Sequence, residues 1–327
     1  MENSHNIRWG IIGCGAVTEV KSGPAYQKTD GFLLTAVMRR NEQLAKDYAQ
    51  RHGIEKYYSC ADELINDETI DAIYIATPPD THKLYALRVA EVGKVCCIEK
   101  PLAPTYQDSK VILEAFEKAQ VPLFVSYYRR SLPRFNKVKA LLDSGGIGSV
   151  RHINWHLNKA ANQIDLSQQY NWRTDKTIAA GGYFDDLASH GLDLFAYLLG
   201  EYEVVKGMGL NQQKLYSSYD SVSACWVHKN GITGAGSWNF GGFSRQDTVT
   251  IYGSEGEISF SVFDEHPISI SNATQQQEIS IENPENIQLY HVQNIKDQLC
   301  SGQIHPSNGR TAAHTSWVMD QILSDDS

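Results

Sequence analysis

Along the first third of the chain, short unbroken apolar runs alternate with stretches whose apolar residues recur every three or four positions. The runs at 8–12, 32–38, 70–76, 95–98 and 122–125 are each closed by glycine, proline or polar residues, which predicts buried strands. Between them, 41–52, 61–66, 82–92 and 105–119 predict helices, with Gly53 and Gly93 as stops. In the last of these, Val111, Ile112, Ala115, Phe116 and Ala119 fall on one face. Continuous apolar strands alternating with helices predict a parallel sheet covered on both faces and wound by right-handed crossovers. In such a sheet, ligands bind at the carboxyl ends of the strands.

Beyond about residue 126 the pattern changes. Segments 150–157, 203–210, 222–228, 231–239, 248–253 and 257–262 alternate apolar with polar residues and are separated by turns such as Lys229-Asn230-Gly231. That predicts an antiparallel sheet. Helices are expected at 134–143, 183–199 and 310–323. The fold class expected is α/β: a doubly wound parallel sheet over 1–125, then an α+β domain with a large open, mostly antiparallel sheet over 126–327.

Composition narrows the functional classes. Of 327 residues, 42% are hydrophobic and 20% charged, as in a globular chain, and 29 basic against 38 acidic residues leave a net charge of −9. That balance argues against a nucleic-acid binder. No apolar run is long enough to span a membrane, and the polar first residues do not resemble a secretory signal. The six cysteines show neither CxxC pairs nor zinc spacing, so they read as reduced thiols of a cytoplasmic protein.

Four signals carry chemistry. The first strand runs into Gly13-Cys14-Gly15-Ala16-Val17-Thr18. Gly13 permits a tight turn and Gly15 lets the backbone approach a pyrophosphate, with Ala16 and Val17 opening the helix. Thr18 stands where a third glycine is common, and Gly23-Pro24 should cut the helix short. The second strand ends in Arg39-Arg40, where an NAD site usually has an acid; a guanidinium there suits the 2′-phosphate of NADP. The fourth strand ends in Glu99-Lys100-Pro101, a turn that would present Lys100 to a nicotinamide, where it could serve in proton transfer. Finally, Gly181-Gly182 opens a helix on which Asp186 and His190, four apart, share a face, with Asp193 three further on. A carboxylate beside an imidazole suits acid–base work near neutral pH, although a helix-start acid and a core histidine would read the same way. No metal site is expected.

Together, Gly13-Cys14-Gly15, Ala76-Thr77-Pro78-Pro79-Asp80-Thr81-His82, Glu99-Lys100-Pro101, and Gly181-Gly182 with Asp186 and His190 resemble the glucose–fructose oxidoreductase / inositol dehydrogenase / MocA-like family over nearly the whole chain. The resemblance implies a Rossmann domain followed by an open-sheet domain, one face of which makes a homodimer or homotetramer. It implies hydride transfer to or from a carbon of a sugar or polyol. By position, Lys100 and His190 match the catalytic lysine and histidine, and Asp186 the acid beside them. Thr77, Pro78, His82 and Glu99 match positions around the cofactor. Arg39 departs from the usual acid and favours NADP over NAD.

On the substrate side, Tyr170-Asn171-Trp172-Arg173 resembles the family's substrate loop. Tyr128, Arg129, Trp155 and His156 are further candidates, each with an alternative place in the core or an interface. Two other functions remain open at this level: a redox-assisted glycosidase that keeps NAD bound, and a dinucleotide-sensing regulator without catalysis.

Overall fold

A computed structural model describes residues 6–274 and 276–324. Of the described residues, 6–132 with Pro284–Ala313 form one compact unit, and 133–283 with 314–324 form a second.

The first unit is built from β1 (Ile7–Ile12), α1 (Ala16–Val20), α2 (Gly23–Lys28), β2 (Phe32–Met38), α3 (Glu42–His52), β3 (Lys56–Tyr58), α4 (Ala61–Asn66), β4 (Ala72–Ile75), α5 (His82–Glu91), β5 (Val95–Ile98), α6 (Tyr106–Ala119) and β6 (Leu123–Val125). Its strands lie in the order β3-β2-β1-β4-β5-β6 and all pair in parallel, the doubly wound arrangement expected. One face buries Ile73, Ile75 and Ile98 against Ala86, Val89, Ile112 and Phe116 of α5 and α6. The other buries Trp9, Tyr74 and Cys97 with Tyr26 of α2 and Tyr48 of α3. Two early elements of this unit lack a sequence signal: β3, too short and polar to show a period, and α2, which begins at the Gly23-Pro24 pair expected only to end a helix.

The second unit holds α7 (Pro133–Asp143), β7 (Val150–Asn158), α8 (Gln163–Leu166), α9 (Tyr183–Leu199), β8 (Tyr202–Leu210), β9 (Ser221–His228), β10 (Thr233–Asn239), β11 (Gln246–Gly253), β12 (Gly256–Phe260), β13 (Ile268–Asn272) and β14 (Gln276–Ile279). Its sheet runs β14-β13-β12-β11-β7-β10-β9-β8. The β7–β10 pair is parallel and the remaining pairs are antiparallel. α9 packs on one face. A side chain at Gly191 would run into the Trp155 ring, so glycine lets the helix settle onto that indole. Phe195 meets Trp155 edge-on with ring centres 5.4 Å apart.

Two elements close the described chain. α10 (Leu289–Ser301) buries Val292 and Ile295 against Trp9 and Phe124, so this late segment belongs to the first unit. By compactness the first unit runs to Leu132 and takes in Pro284–Ala313. In α11 (Gly309–Leu323), Ala312 and Ala313 join the first unit's core. No described helix is long and apolar enough to cross a membrane.

Candidate active site

The first unit's site is assembled at the carboxyl ends of its strands. β1 delivers Gly13 at φ +93°, where an added Cβ would approach Thr77 Cγ2 to 2.7 Å. The N–H groups of Gly13 and Cys14 donate to Met38 O at 2.9 and 3.2 Å, which sets Arg39 and Arg40, both exposed, beside the glycine turn. A Cβ on Gly15 would meet no atom of the chain nearer than 3.9 Å. Packing therefore does not demand glycine there; a bare backbone serves a group from outside the chain, and a dinucleotide pyrophosphate fits. The close approach usually made by a third glycine has moved to Gly23, where a Cβ would strike Thr18 O and Tyr48 Oη. Tyr48 donates to Thr18 O at 2.8 Å, tying α1 to α3. Arg51 adds a two-armed pair to Glu19 at 2.7 and 2.9 Å, which holds that carboxyl down to about 2. Burial pushes the Cys14 thiol up to about 11, so it stays protonated within the turn.

At the end of β5, Glu99 is buried and Lys100 half-buried, and the Lys100–Pro101 peptide is cis. Tyr74 Oη donates to Glu99 Oε1 at 2.5 Å and Gln288 Nε2 donates to the same oxygen at 2.7 Å. The Lys100 N–H donates to Oε2 at 3.2 Å. The turn carrying Lys100 is thus anchored on a fixed carboxylate. His82, expected on the cofactor side, lies among carbonyls of the chain. Its Nε2 lies 2.8 Å from Thr77 O, its Nδ1 lies 3.1 and 3.2 Å from Pro101 O and Leu102 O, and burial holds its pKa below the ordinary value. Enclosed, the ring fills the space between the turn after β4 and the turn after β5; in its neutral form it donates to the carbonyls of only one of them. Pro78 O accepts from Thr81 Oγ1 at 2.8 Å. Tyr128 is buried under the Arg129 guanidinium, which sits 5.0 Å from its ring centre.

In the second unit, α9 starts at Gly182, whose φ of +63° and closeness to Ser218 and Tyr219 O exclude a side chain. Asp186 pairs with Arg173, Nε to Oδ2 at 3.2 Å, and the Arg173 guanidinium lies 4.4 Å over Trp172. Their loop is pinned by Asp165, which accepts from Tyr183 Oη at 2.5 Å and from Asn171 Nδ2 at 3.2 Å. His190 is buried one turn along α9, edge-on to Phe263 with ring centres 6.0 Å apart. Asp193 is elsewhere: it accepts from Thr315 Oγ1 at 3.1 Å inside the core. Among the described residues no group of His, Cys, Asp and Glu could hold a metal ion.

Two substrate-side candidates are corrected. Trp155 is fully buried, with Nε1 donating to Asp247 Oδ1 at 2.9 Å; it is the floor under α9. His156, its neighbour in β7, points to the opposite sheet face, where Nδ1 meets Ser237 Oγ at 2.8 Å. Strand alternation keeps the two from sharing a site. Conversely, Lys159 has been brought near Asp186 and Arg245 without a motif to announce it. The signal available was parity: Lys159 continues the buried series Ile153, Trp155, Leu157. Tyr74 and Gln288, around Glu99, had no sequence signal at all.

A parallel sheet of this order with a glycine turn after β1 is the arrangement of a dinucleotide-binding fold. Residues 7–127 match the family model described as oxidoreductase family, NAD-binding Rossmann fold, and residues 135–259 match the GFO/IDH/MocA C-terminal domain. The chain belongs to the Gfo/Idh/MocA family and is an NAD(P)-dependent oxidoreductase. It is 38% identical over 315 residues to Oxidoreductase P35 of Formosa agariphila, covering 96% of this chain and 97% of that one. It is 30% identical over 217 residues to levoglucosan dehydrogenase of Pseudarthrobacter phenanthrenivorans, covering 62% of this chain and 54% of that one. Among solved structures, a levoglucosan dehydrogenase complexed with NADH and levoglucosan superimposes with a TM-score of 0.86 at 23% identity, covering 97% of this chain and 96% of that one, a likeness of fold.

Proposed function

We propose that the protein moves a hydride between a nicotinamide and a secondary alcohol or carbonyl carbon of a sugar or polyol, with NADP(H) preferred over NAD(H). The observation that carries this reading is Lys100, held at the end of β5 by a Glu99 that is itself fixed by Tyr74 and Gln288. Relatives named levoglucosan dehydrogenase and myo-inositol 2-dehydrogenase support the substrate class. Solved neighbours with NADH show that NAD is common in this fold, so the preference for NADP rests on Arg39 and Arg40 alone.

Gly13, Gly15, Ala16 and Val17 would hold the pyrophosphate, Arg39 and Arg40 the 2′-phosphate, and Thr77, Pro78 and Glu99 the nicotinamide end. When bound, that cofactor supplies or takes the hydride. Lys100 donates a hydrogen bond to the substrate oxygen and stabilises charge as it develops there. His190 takes or gives the hydroxyl proton. Asp186 is the carboxylate that orients the imidazole, and Arg173 holds Asp186 in place. Trp172 and Arg173 line the substrate side. The exposed Val204, Met208 and Leu210 of β8 are proposed to bury themselves in a homodimer or homotetramer.

Two variants test the reading. Lys100→Ala should lower kcat by about 10²–10⁴ while NADPH still binds by fluorescence titration; turnover near wild type would overturn the role. Arg39→Asp should reverse the ratio of kcat/KM for NADPH over NADH; an unchanged ratio would show that Arg39 does not read the 2′-phosphate.

A further inference from the structure

We propose that the second unit carries a subsite for a singly charged anionic group on the sugar, a carboxylate, with Lys159 as its main ligand and Arg245 as the second. The proposal rests on the hydride-transfer reading of Asp186 and His190 and names the substrate class for that site.

The placement follows from strand parity. In β7, Ile153, Trp155 and Leu157 face α9, and Lys159 is the next residue on that face, just past the end of the strand. Its backbone is clamped from both sides: its N–H donates to Asn239 O at 2.9 Å, and its carbonyl accepts from the Gly242 N–H at 2.9 Å. In the neighbouring strand Leu157 pairs with Asp247 and Asn158 with Gln246, so Arg245 comes opposite Lys159. The two paired strands therefore bring Lys159 and Arg245 together at one end of the sheet, with Asp186 of α9 near Lys159.

The other charges of this region have partners. Arg173 holds Asp186 at 3.2 Å, and Arg245 holds Asp264 through Nη2 at 2.6 Å and Nε at 3.1 Å. Asp247 accepts from Trp155 Nε1 at 2.9 Å, the Phe263 N–H at 2.7 Å and Ser261 Oγ at 2.5 Å. Lys159 is different. Its ammonium is half-buried, and among the described residues it makes no hydrogen bond or ion pair. Burial and the adjacent Arg245 disfavour its charge, while Asp186 and Asp264 are near enough to favour it. Three N–H donors on a partly desolvated cation, with no acceptor from the chain, are a cost that an anionic ligand would remove. One free ammonium beside an arginine already committed to Asp264 suits a single negative charge better than a phosphate dianion. On a sugar, that charge comes from a carboxylate or a sulfate ester.

The test is steady-state kinetics of wild type, Lys159→Met and Lys159→Arg on D-glucuronate, D-galacturonate, their parent hexoses and D-glucose 6-sulfate. The expected result is an acidic sugar preferred over its parent by about tenfold or more in kcat/KM, a preference erased in Lys159→Met and partly kept in Lys159→Arg. The loss should fall mainly on KM, with NADPH binding unchanged. Preference for the sulfate ester would keep the subsite and reassign its anion. Hexoses turned over as well as uronates, or an equal loss for both in Lys159→Met, would overturn the subsite and leave hydride transfer standing; the equal loss would instead make Lys159 a proton-transfer group. If nothing is turned over, the hydride-transfer reading fails by itself, and the subsite is judged by thermal shift. A rise in Tm with either uronate in wild type but not in Lys159→Met supports it, and no rise overturns it.

Discussion

Glu99 shows how much of a functional residue's behaviour is set by partners that no local pattern reveals. The side chain was legible from its strand-end tripeptide. Its side-chain partners are Tyr74, one strand away, and Gln288, the residue that caps the start of α10. Both donate to the same oxygen of a buried carboxyl, and removing one leaves an acceptor short at a cost of about 1–3 kcal/mol. Gln288→Leu is expected to weaken nicotinamide binding and to lower kcat about tenfold, on the scale of one lost charged hydrogen bond, with the circular dichroism spectrum unchanged. Kinetics matching wild type would show that Glu99 needs no help from α10. His82 teaches the converse. Its place in a recognisable motif suggested a cofactor contact, yet its two nitrogens meet three carbonyls of the chain. The identity of the residue was readable, but its direction was not.

Elements carry the site by being held at both ends. α1 is only five residues long, as Gly23-Pro24 implied, and its anchoring passes to Tyr48 and Arg51 of α3. α9 begins where Gly181 and Gly182 leave no room for side chains. A Cβ on Gly181 would strike Asp185, whose Oδ2 accepts from the Gly181 N–H at 2.8 Å. Burial pushes the Asp185 carboxyl up to about 7. Folding therefore favours its neutral form: the stability this gives is full below the ordinary carboxylate range and is lost as pH rises through about 7. Asp185→Asn keeps an acceptor for Gly181 but has no charge to bury. Its Tm should exceed that of wild type by a margin that grows from pH 5 to pH 8; a constant margin would show that folding does not shift the titration of Asp185 over this range.

At the scale of the molecule, two sheets divide the labour. The first is parallel and buried on both faces, so its strands read as unbroken apolar runs and its motifs fall at predictable strand ends. The second is mostly antiparallel, with one face under α9 and the other carrying Thr248, Thr250, Ser223 and His152 alongside exposed Val204, Met208 and Leu210. An exposed apolar row on an edge strand is a liability for a lone subunit. Sedimentation velocity is expected to find a homo-oligomer, and Met208→Glu with Leu210→Glu to lower its mass; a wild-type monomer would refute this use of the face.

The sequence by itself determined what depends on neighbours along the chain: strand and helix periods, the glycine turn, Arg39 at a strand end, the Glu99-Lys100-Pro101 turn, and Asp186 and His190 one helical turn apart. It left out β13 and β14, whose mixed composition gives a weak period, and α10, whose apolar residues make sense only against Trp9 and Phe124. Tertiary structure decided which distant residues meet: Gln288 with Glu99, Arg173 with Asp186, and Lys159 with Arg245. Periodicity reports which face a residue occupies. What that face meets is set by strand register and by chain returning from far away, and those contacts leave no trace in local spacing.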